Sequence, residues 1–97
     1  MLRITTDNNA QALVLRLEGR LEGPWVAVLE HCWTTALPES RGRRLCMDLS
    51  GVTFIDGAGK ARLAEMYAQG AELRDGDLET KAIVAEIVSR SPRGANG

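Results

Sequence analysis

One stretch of this sequence decides the fold: Val52-Thr53-Phe54-Ile55-Asp56-Gly57-Ala58-Gly59-Lys60. It follows the apolar run from Leu45 to Leu49, and together they are typical of a buried strand, a tight acidic and glycine-rich turn, and the start of a helix. In α/β domains such junctions hold phosphate sites, catalytic turns and regulatory switches. The residues of this turn therefore limit what the protein can do.

Size and composition predict one soluble domain. The 97 residues are 44% hydrophobic and 26% charged, which is ordinary for a globular protein, and a chain of this length can bury one core. A formal net charge of −1 provides no overall attraction to nucleic acid or to anionic membranes. The sequence has neither a signal-peptide pattern nor an apolar run of roughly 20 residues. We therefore expect a cytoplasmic protein without membrane insertion.

Few residues suggest metal or redox chemistry. Cys32 falls in a helical pattern and Cys46 in a strand pattern, as reduced and buried thiols do. His31 could join them on paper, but no fourth ligand has suitable spacing, so we predict no metal site and no cofactor. The basic run Arg41-Gly42-Arg43-Arg44 could meet a phosphate, although a solvated loop explains it better because the whole chain is not basic.

Periodicity along the chain predicts the order β-β-α-β-α-β-α. The expected strands cover residues 2–6, 12–17, 45–49 and 71–74, and the expected helices cover residues 24–37, 58–69 and 78–89. The first two strands form a hairpin, a connection follows Gly19, and Pro38 ends the first helix. Asp56 and Asp77 are expected N-caps. The order implies an α/β fold with a mixed sheet of about four strands and helices mainly on one face, formed by residues 1–89 as a single domain before a disordered tail at residues 90–97.

The glycine turn resembles two nucleotide-binding loops but fits neither. A Walker A loop needs Gly-x-x-x-x-Gly-Lys-Ser/Thr, whereas Phe54 stands at the first glycine position and Ala61 at the hydroxyl position. A dinucleotide fingerprint would need a small residue where Arg62 stands. The glycines also have a purely structural explanation, because glycine lets a helix pack closely on a strand. Since no nucleophile–base pair or carboxylate pair is evident, we predict no catalytic residues and no enzyme.

A resemblance to a known family explains the turn better. The segment Met47-Asp48-Leu49-Ser50-Gly51-Val52-Thr53-Phe54-Ile55-Asp56-Gly57-Ala58-Gly59 is similar to the central motif of STAS domains. These include the bacterial anti-sigma-factor antagonists and the cytoplasmic domains of sulphate transporters. The segment Leu15-Arg16-Leu17-Glu18-Gly19-Arg20-Leu21 is similar to the second strand of that family. The resemblance covers about residues 10–88 and implies the STAS-like (SpoIIAA-like) fold, which has the same order of strands and helices.

Two departures from the family pattern affect function. In the antagonists, the residue after the aspartate is the serine or threonine that the partner kinase phosphorylates; here that position is Gly57, and Ala58 follows it. The resemblance thus implies a phosphosite equivalent at Gly57 that cannot be phosphorylated, and it leaves open whether Thr53 or Ser50 replaces it. Family members also usually continue into another strand and helix, so we expect a smaller sheet with an edge that is open or covered by a partner.

The resemblance further implies a binding surface. It predicts a non-enzymatic module that contacts another protein through Asp56, Gly57, Ala58, Gly59, Lys60 and Arg62. The choice of partner would depend on Lys60, Arg62 and the loop after Gly19. We expect Lys60 to form an ion pair with Glu65 or Asp56.

Several partners fit this surface. One is an anti-sigma-type kinase in a partner-switching pathway, and another is a subunit of a bacterial lipid-transport ABC system, in which this chain would be the soluble STAS subunit. A nucleotide or lipid is a third alternative, because the helix start at Ala58 could hold an anion. The shortened sheet also allows a homodimer. Trp25 and Trp33 either both pack on the sheet, or one of them is an exposed interface anchor.

Overall fold

The structure is a computed structural model that describes residues 1–74 and 78–90. The elements are β1 (Leu2–Asn8), β2 (Ala12–Leu21), α1 (Pro24–Ser40), β3 (Arg44–Ile55), α2 (Gly57–Ala68), β4 (Glu72–Arg74) and α3 (Leu78–Arg90). They form one four-stranded sheet in the order β1-β2-β3-β4. β1 and β2 are antiparallel, and the other neighbours are parallel. The order of elements and the mixed sheet confirm the predicted fold class.

Some predictions at the C-terminal end lie outside the described residues. They are the N-cap at Asp77 and the disordered tail from residue 91 onwards. Arg90 does not belong to that tail, because it is the last residue of α3. Across the two described ranges, no helix is both long and apolar enough to cross a membrane.

β4 is one residue shorter than predicted, whereas β1, β3 and β2 are longer, and β2 is the strand whose extension removes a predicted connection. This strand runs on to Leu21, so Gly19 and Arg20 belong to it rather than to a connection. The strand continues because its last residues pair with the end of β3, where Arg20 lies opposite Phe54. The register is irregular around Gly19, whose φ of 106° suits glycine. β3 is likewise longer than the predicted residues 45–49.

Pro38 does not end α1, contrary to the prediction, because the helix reaches Ser40. Proline removes one intrahelical donor, and the last carbonyls of a helix lack partners in any case. Side chains supply donors here: the Ser40 hydroxyl donates to the carbonyl of Leu37 at 2.7 Å, and Arg43 donates to the carbonyls of Ser40 at 2.9 Å and Glu39 at 2.7 Å. These bonds stabilise the final turn beyond the proline.

The core lies between the helices and one face of the sheet, as predicted. Alternate residues of a strand point to the same face. The buried side chains of the core include Leu13, Leu15, Leu17 and Leu21 of β2, Met47, Leu49 and Val52 of β3, Leu29 and Trp33 of α1, Leu63 and Met66 of α2, and Ile87 of α3. Trp25 is half-buried against this cluster. Both tryptophans therefore pack in the core, and neither is an exposed anchor.

The opposite face of the sheet carries a second, small cluster. Ala12, Val14 and Cys46 bury one another there, beside an ion pair of Arg16 with Asp48 at 3.5 Å. Burial raises the pKa of the Cys46 thiol, so Cys46 behaves as a small apolar residue. Both cysteines are free thiols, as predicted, although Cys32 is only half-buried.

Candidate functional site

The turn between β3 and α2 is built around Asp56. β3 ends at Ile55 and α2 begins at Gly57, so Asp56 stands between them with an extended backbone (φ −86°, ψ 179°). Its Oδ1 accepts a hydrogen bond from the backbone N–H of Gly59 at 2.7 Å. This geometry satisfies one of the free donors of a first helical turn, and it confirms the predicted N-cap.

The second carboxylate oxygen of Asp56 holds the start of α1. Oδ2 accepts a hydrogen bond from the backbone N–H of Gly23 at 3.0 Å, and Gly23 is the residue before α1, which lacks a side-chain cap of its own. One carboxylate thus joins the first residues of two helices, an arrangement we call the Asp56 clasp. No local sequence pattern indicates the bond to Gly23, because 33 positions separate the two residues.

The clasp sets the charge of Asp56. Backbone hydrogen bonds lower the pKa of Asp56, with that from Gly23 contributing most and that from Gly59 next. Both bonds stabilise the ionised carboxylate. A negative charge therefore already occupies the start of α2 and takes one of its donors. Both effects oppose the anion site suggested at Ala58, since a helix N-terminus attracts anions only through free N–H groups and an uncompensated dipole.

The two glycines of the turn have opposite surroundings. Gly57 is exposed, and a Cβ atom built on it would meet no atom within 4 Å. Gly59 is buried, and a Cβ atom there would lie 2.9 Å from Cγ and 3.0 Å from the carbonyl oxygen of Leu21, and 3.2 Å from Cγ2 of Ile55. The close approach of α2 to the ends of β2 and β3 therefore requires glycine at position 59, whereas position 57 has room for a side chain.

The six residues predicted as a surface do not all face solvent. Gly57 and Ala58 are exposed, and Ala61 continues the exposed side of α2. Gly59 is buried, and the Asp56 carboxylate is engaged by the backbone of both helices. We call Gly57, Ala58 and Ala61 the outer side of the turn. Its side chains are small, so the backbone at the start of α2 is accessible.

Lys60 lies on one flank of α2 and pairs with α3. Its Nζ is 2.5 Å from Oε1 of Glu86. The predicted pairing with Glu65 or Asp56 is therefore wrong. It rested on neighbours in sequence, whereas the actual carboxylate comes from a different helix that packs beside α2.

Arg62 lies on the other flank and pairs within α2 and with α1. Its Nη1 is 3.0 Å from Oε1 of Glu65 and 3.7 Å from Oε2 of Glu30. Like Lys60, Arg62 is half-buried and forms ion pairs with carboxylates of this chain. The two cations border the outer side of the turn, and they also connect α2 to both neighbouring helices.

The two hydroxyls that could replace the missing phosphosite lie on β3. Thr53 is exposed, and its Oγ1 donates to the carbonyl of Gly19 at 3.2 Å. Ser50 is also exposed, and its backbone N–H donates to Oδ1 of Asp48 at 3.0 Å. Neither hydroxyl therefore occupies the first turn of α2, where Gly57 stands.

An apolar groove adjoins the turn on the side of α3. One wall is Phe54, which is 40% exposed, and the Arg20 guanidinium lies over its ring at 4.5 Å from the centroid. The groove has a volume of about 310 Å³ and is lined by Thr53, Phe54, Ile55, Thr80, Ala82 and Ile83. Its walls come from β3 and α3, which are distant in sequence, so no local sequence pattern indicates the groove.

The other candidate residues form no catalytic or metal centre. No three metal-ligating side chains converge in the part of the chain that the structure describes, and His31 is exposed while Cys46 is buried. In the basic run, the guanidinium of Arg43 donates to carbonyls at the end of α1 and to Asn8 and Asn9. Arg43 therefore joins α1 to the β1–β2 hairpin, and its donors are not directed at a phosphate.

The fold and the turn together define a STAS domain, and sequence comparison supports this class. Residues 4–87 match the family described as "Mlab, STAS domain". The chain therefore belongs to this family. STAS domains of the antagonist kind are generally non-enzymatic. Among curated proteins, none matches the sequence significantly.

Solved structures give the same fold. An anti-sigma factor antagonist from Mycobacterium paratuberculosis superposes with a TM-score of 0.74 at 17% identity, over 96% of this chain and 85% of that chain. The unphosphorylated form of the anti-sigma factor antagonist SpoIIAA superposes with a TM-score of 0.52 at 15% identity, over 87% and 97%. Mglu superposes with a TM-score of 0.60 at 20% identity, and 77% of this chain covers only 19% of Mglu. At these identities the likeness establishes the fold alone.

Proposed function

We propose that this domain is a non-enzymatic protein-binding module, similar in role to the anti-sigma-factor antagonists, that lacks their serine switch. The observation that carries this proposal is Gly57: it is exposed at the first residue of α2, has room for a side chain, and bears no hydroxyl. The recognition surface is the outer side of the turn, bordered by Lys60 and Arg62.

A pre-formed shape supports a binding role. The Asp56 clasp fixes the starts of α1 and α2 relative to each other, so the outer side of the turn does not have to become ordered when a partner binds. Pre-organisation of this kind increases affinity because less conformational entropy is lost on binding. The small side chains of Gly57, Ala58 and Ala61 allow a partner to approach the helix backbone closely.

The missing hydroxyl determines regulation. A phosphate at position 57 would add about −1.5 to −2 charges next to the ionised Asp56. The helix start would tolerate this charge, but an acidic or apolar partner surface would not. Because Gly57 cannot accept a phosphate, binding through this surface is constitutive with respect to that switch.

The partner is another protein, and two settings fit. In the first, the chain acts in the cytoplasm as a degenerate or constitutive regulator that binds an anti-sigma-type kinase. In the second, it is the soluble STAS subunit of a bacterial lipid-transport ABC system and binds another subunit of that system. In both settings the positive charges of Lys60 and Arg62 influence which partner binds. Ion pairs with Glu86, Glu30 and Glu65 partly neutralise these charges.

Calorimetric titration tests the surface. Three forms of this chain are compared: the wild type, Gly57→Ala and Gly57→Asp. Each is titrated with the candidate partner encoded beside its gene, which is either the kinase or the transporter subunit. The aspartate imitates part of the charge of a phosphate at a helix start that tolerates it. We expect Gly57→Asp to weaken binding by about tenfold or more, while Gly57→Ala binds like the wild type. Equal binding by all three proteins would contradict the proposed surface.

A second candidate function is the binding of a small apolar ligand, and the groove beside Phe54 favours it. Its volume of about 310 Å³ is at the lower limit of ordinary ligand pockets. Thermal shift measurements with fatty acids, ATP and GTP test this candidate, since a ligand at about 100 times its Kd adds about 2.7 kcal/mol of stability. A shift with fatty acids alone supports the groove, and no shift with any of the three excludes this function.

A further inference from the structure

β1 is an open edge of the sheet. Its seven residues pair with β2 on one side, and it is the first strand in the order β1-β2-β3-β4. Arg3 and all residues from Thr5 to Asn8 are exposed. The strand contains no proline, and its pairing with β2 is regular throughout. Long, regular edges of this kind can pair with another strand unless something covers them.

The backbone groups that face outward can be assigned from the hydrogen bonds at the two ends of the hairpin. Arg20 N–H donates to the carbonyl of Met1, and Asn9 N–H donates to the carbonyl of Ala12. In an antiparallel ladder the residues that exchange such bonds alternate along the strand. The odd-numbered residues of β1 therefore bond to β2. The outward N–H and C=O groups belong to the even-numbered residues, which are Leu2, Ile4, Thr6 and Asn8.

We propose that β1 is a self-association edge, on which β1 of a second copy of this chain pairs antiparallel about a two-fold axis at Thr5. The outward N–H and C=O groups can bond to each other only if even-numbered residues of one copy lie opposite even-numbered residues of the other. The register centred on Thr5 meets this condition and pairs all seven residues of β1. Leu2 then lies opposite Asn8 of the second copy, and Ile4 opposite Thr6. The inference concerns a surface separate from the turn and does not depend on the proposed function.

Charge complementarity selects this register. With Thr5 on the axis, Arg3 of each copy lies directly opposite Asp7 of the other, which gives two symmetric ion pairs. These odd-numbered positions are non-hydrogen-bonded pairs of the new ladder, in which opposing Cα atoms are only about 4.5 Å apart. Within the described residues, neither Arg3 nor Asp7 forms an ion pair with its own chain.

Other registers that satisfy the backbone are poorer. Centring the axis on Arg3 or on Asp7 places two like charges directly opposite each other, which is destabilising. Centring it on Ile4 or on Thr6 shortens the ladder and leaves one charge of each copy opposite Thr5. The register with the longest ladder is thus also the one with complementary charges. An interface of seven residues is small, so we expect a weak dimer with one continuous eight-stranded sheet.

Complementary charge reversal tests the register. The variants are Arg3→Asp, Asp7→Arg and their equimolar mixture, measured with the wild type by sedimentation equilibrium from about 10 µM to about 1 mM. Both substituted side chains are exposed, so the fold is retained. Each variant alone would place like charges opposite each other, and we expect its dimer Kd to rise by about tenfold.

The equimolar mixture of the two variants should restore dimer formation. The Arg3→Asp chain is acidic at both positions, and the Asp7→Arg chain is basic at both. A heterodimer of the two therefore has opposite charges in both of its facing pairs, and it should form with about the wild-type Kd. A wild type that stays monomeric, or a mixture that does not restore the dimer, would overturn the proposal.

A disulfide test fixes the axis. In a Cys32→Ser background, Thr5→Cys places two thiols opposite each other on the axis, within reach of a disulfide. Thr6→Cys is the matched control, because the two Thr6 Cα atoms would be about 8 Å apart and could not be bridged. We expect mild oxidation to cross-link Thr5→Cys and not Thr6→Cys. Equal cross-linking of the two cysteine variants would contradict the proposed axis.

Discussion

Gly57 and Gly59 stand two residues apart in one turn, yet the structure constrains only one of them. Gly59 is packed against Leu21 and Ile55 and leaves no room for a Cβ atom, whereas Gly57 faces open space. The inner side of the turn, formed by Asp56 and Gly59, holds α2 against the sheet and against α1. The outer side carries no such constraint. The fold therefore needs the aspartate and the second glycine, but it does not need position 57 to lack a hydroxyl.

Packed and exposed residues of the turn thus alternate within residues 56–61. If the whole turn served only to support the fold, both of its sides would be packed against other residues. If the whole turn served binding, the Asp56 carboxylate would be free to contact a ligand. Here the carboxylate is engaged by backbone donors of two helices. The outer side is exposed, which is why we propose it as the recognition surface, and the following variants test how far the packed inner side extends.

Gly59→Ala should have the largest effect. The new Cβ would be 2.9 Å from Cγ and 3.0 Å from the carbonyl oxygen of Leu21, and the backbone oxygen cannot move without shifting β2. We expect a loss of about 1–3 kcal/mol in the free energy of unfolding, typical of overpacking. Urea denaturation followed by circular dichroism measures it. An unchanged midpoint would mean that the inner side is not packed as described.

Asp56→Asn should destabilise the protein less, and in a pH-dependent way. The pKa of Asp56 is lowered in the folded state, so its contribution is present above the unfolded value of about 3.9 and is lost as the pH falls through the folded value. The variant should therefore unfold at lower urea than the wild type at pH 7, and the difference should narrow near pH 3. A difference that stays constant with pH would show that the carboxylate charge does not matter to the clasp.

Gly57→Ala should have a small effect of the opposite sign. The added methyl group meets no neighbour, and alanine loses less backbone entropy than glycine when a helix forms. We expect a gain of about 0.5–1 kcal/mol, measured by the same denaturation. A loss of stability would indicate that the outer side is constrained after all, and it would remove the contrast between the two glycines.

Lys60→Gln should have the smallest effect. The pair with Glu86 is partly exposed, and such pairs contribute little to stability because water and salt screen them. We expect a loss of about 0.2–0.5 kcal/mol that disappears in about 1 M NaCl, where the Debye length is about 3 Å. A loss that salt does not reduce would mean that Lys60 stabilises the fold by packing rather than by charge.

Much of the architecture follows from the sequence because it depends on short-range patterns. The order of elements, the side of the sheet that carries the helices, and the cap at Asp56 come from apolar periodicity and from one acidic residue before a helix. The errors have a common cause. Gly19 and Pro38 are breakers by local rules, but pairing with β3 continues the strand through Gly19, and donors from Arg43 stabilise the helix beyond Pro38.

The turn between β3 and α2 was predicted in position, but its contacts were not predicted in detail. The turn itself is evident in the sequence, and so is its missing hydroxyl at Gly57. The second bond of the clasp, the pairing of Lys60 with Glu86 and the groove beside Phe54 all join elements that are remote in the chain. Contacts of this kind depend on how elements pack in three dimensions, and local residue patterns carry no information about them.

We propose that the turn presents a recognition surface without a phosphorylation switch. The most direct test is intact-mass spectrometry after incubation with ATP and an anti-sigma-type kinase, comparing the wild type with Gly57→Ser. The open space at position 57 accommodates the serine, so this variant serves as the positive control. We predict that the wild type gains no phosphate under conditions that phosphorylate Gly57→Ser. A phosphate on the wild type, at Thr53, Ser50 or any other residue, would contradict the account.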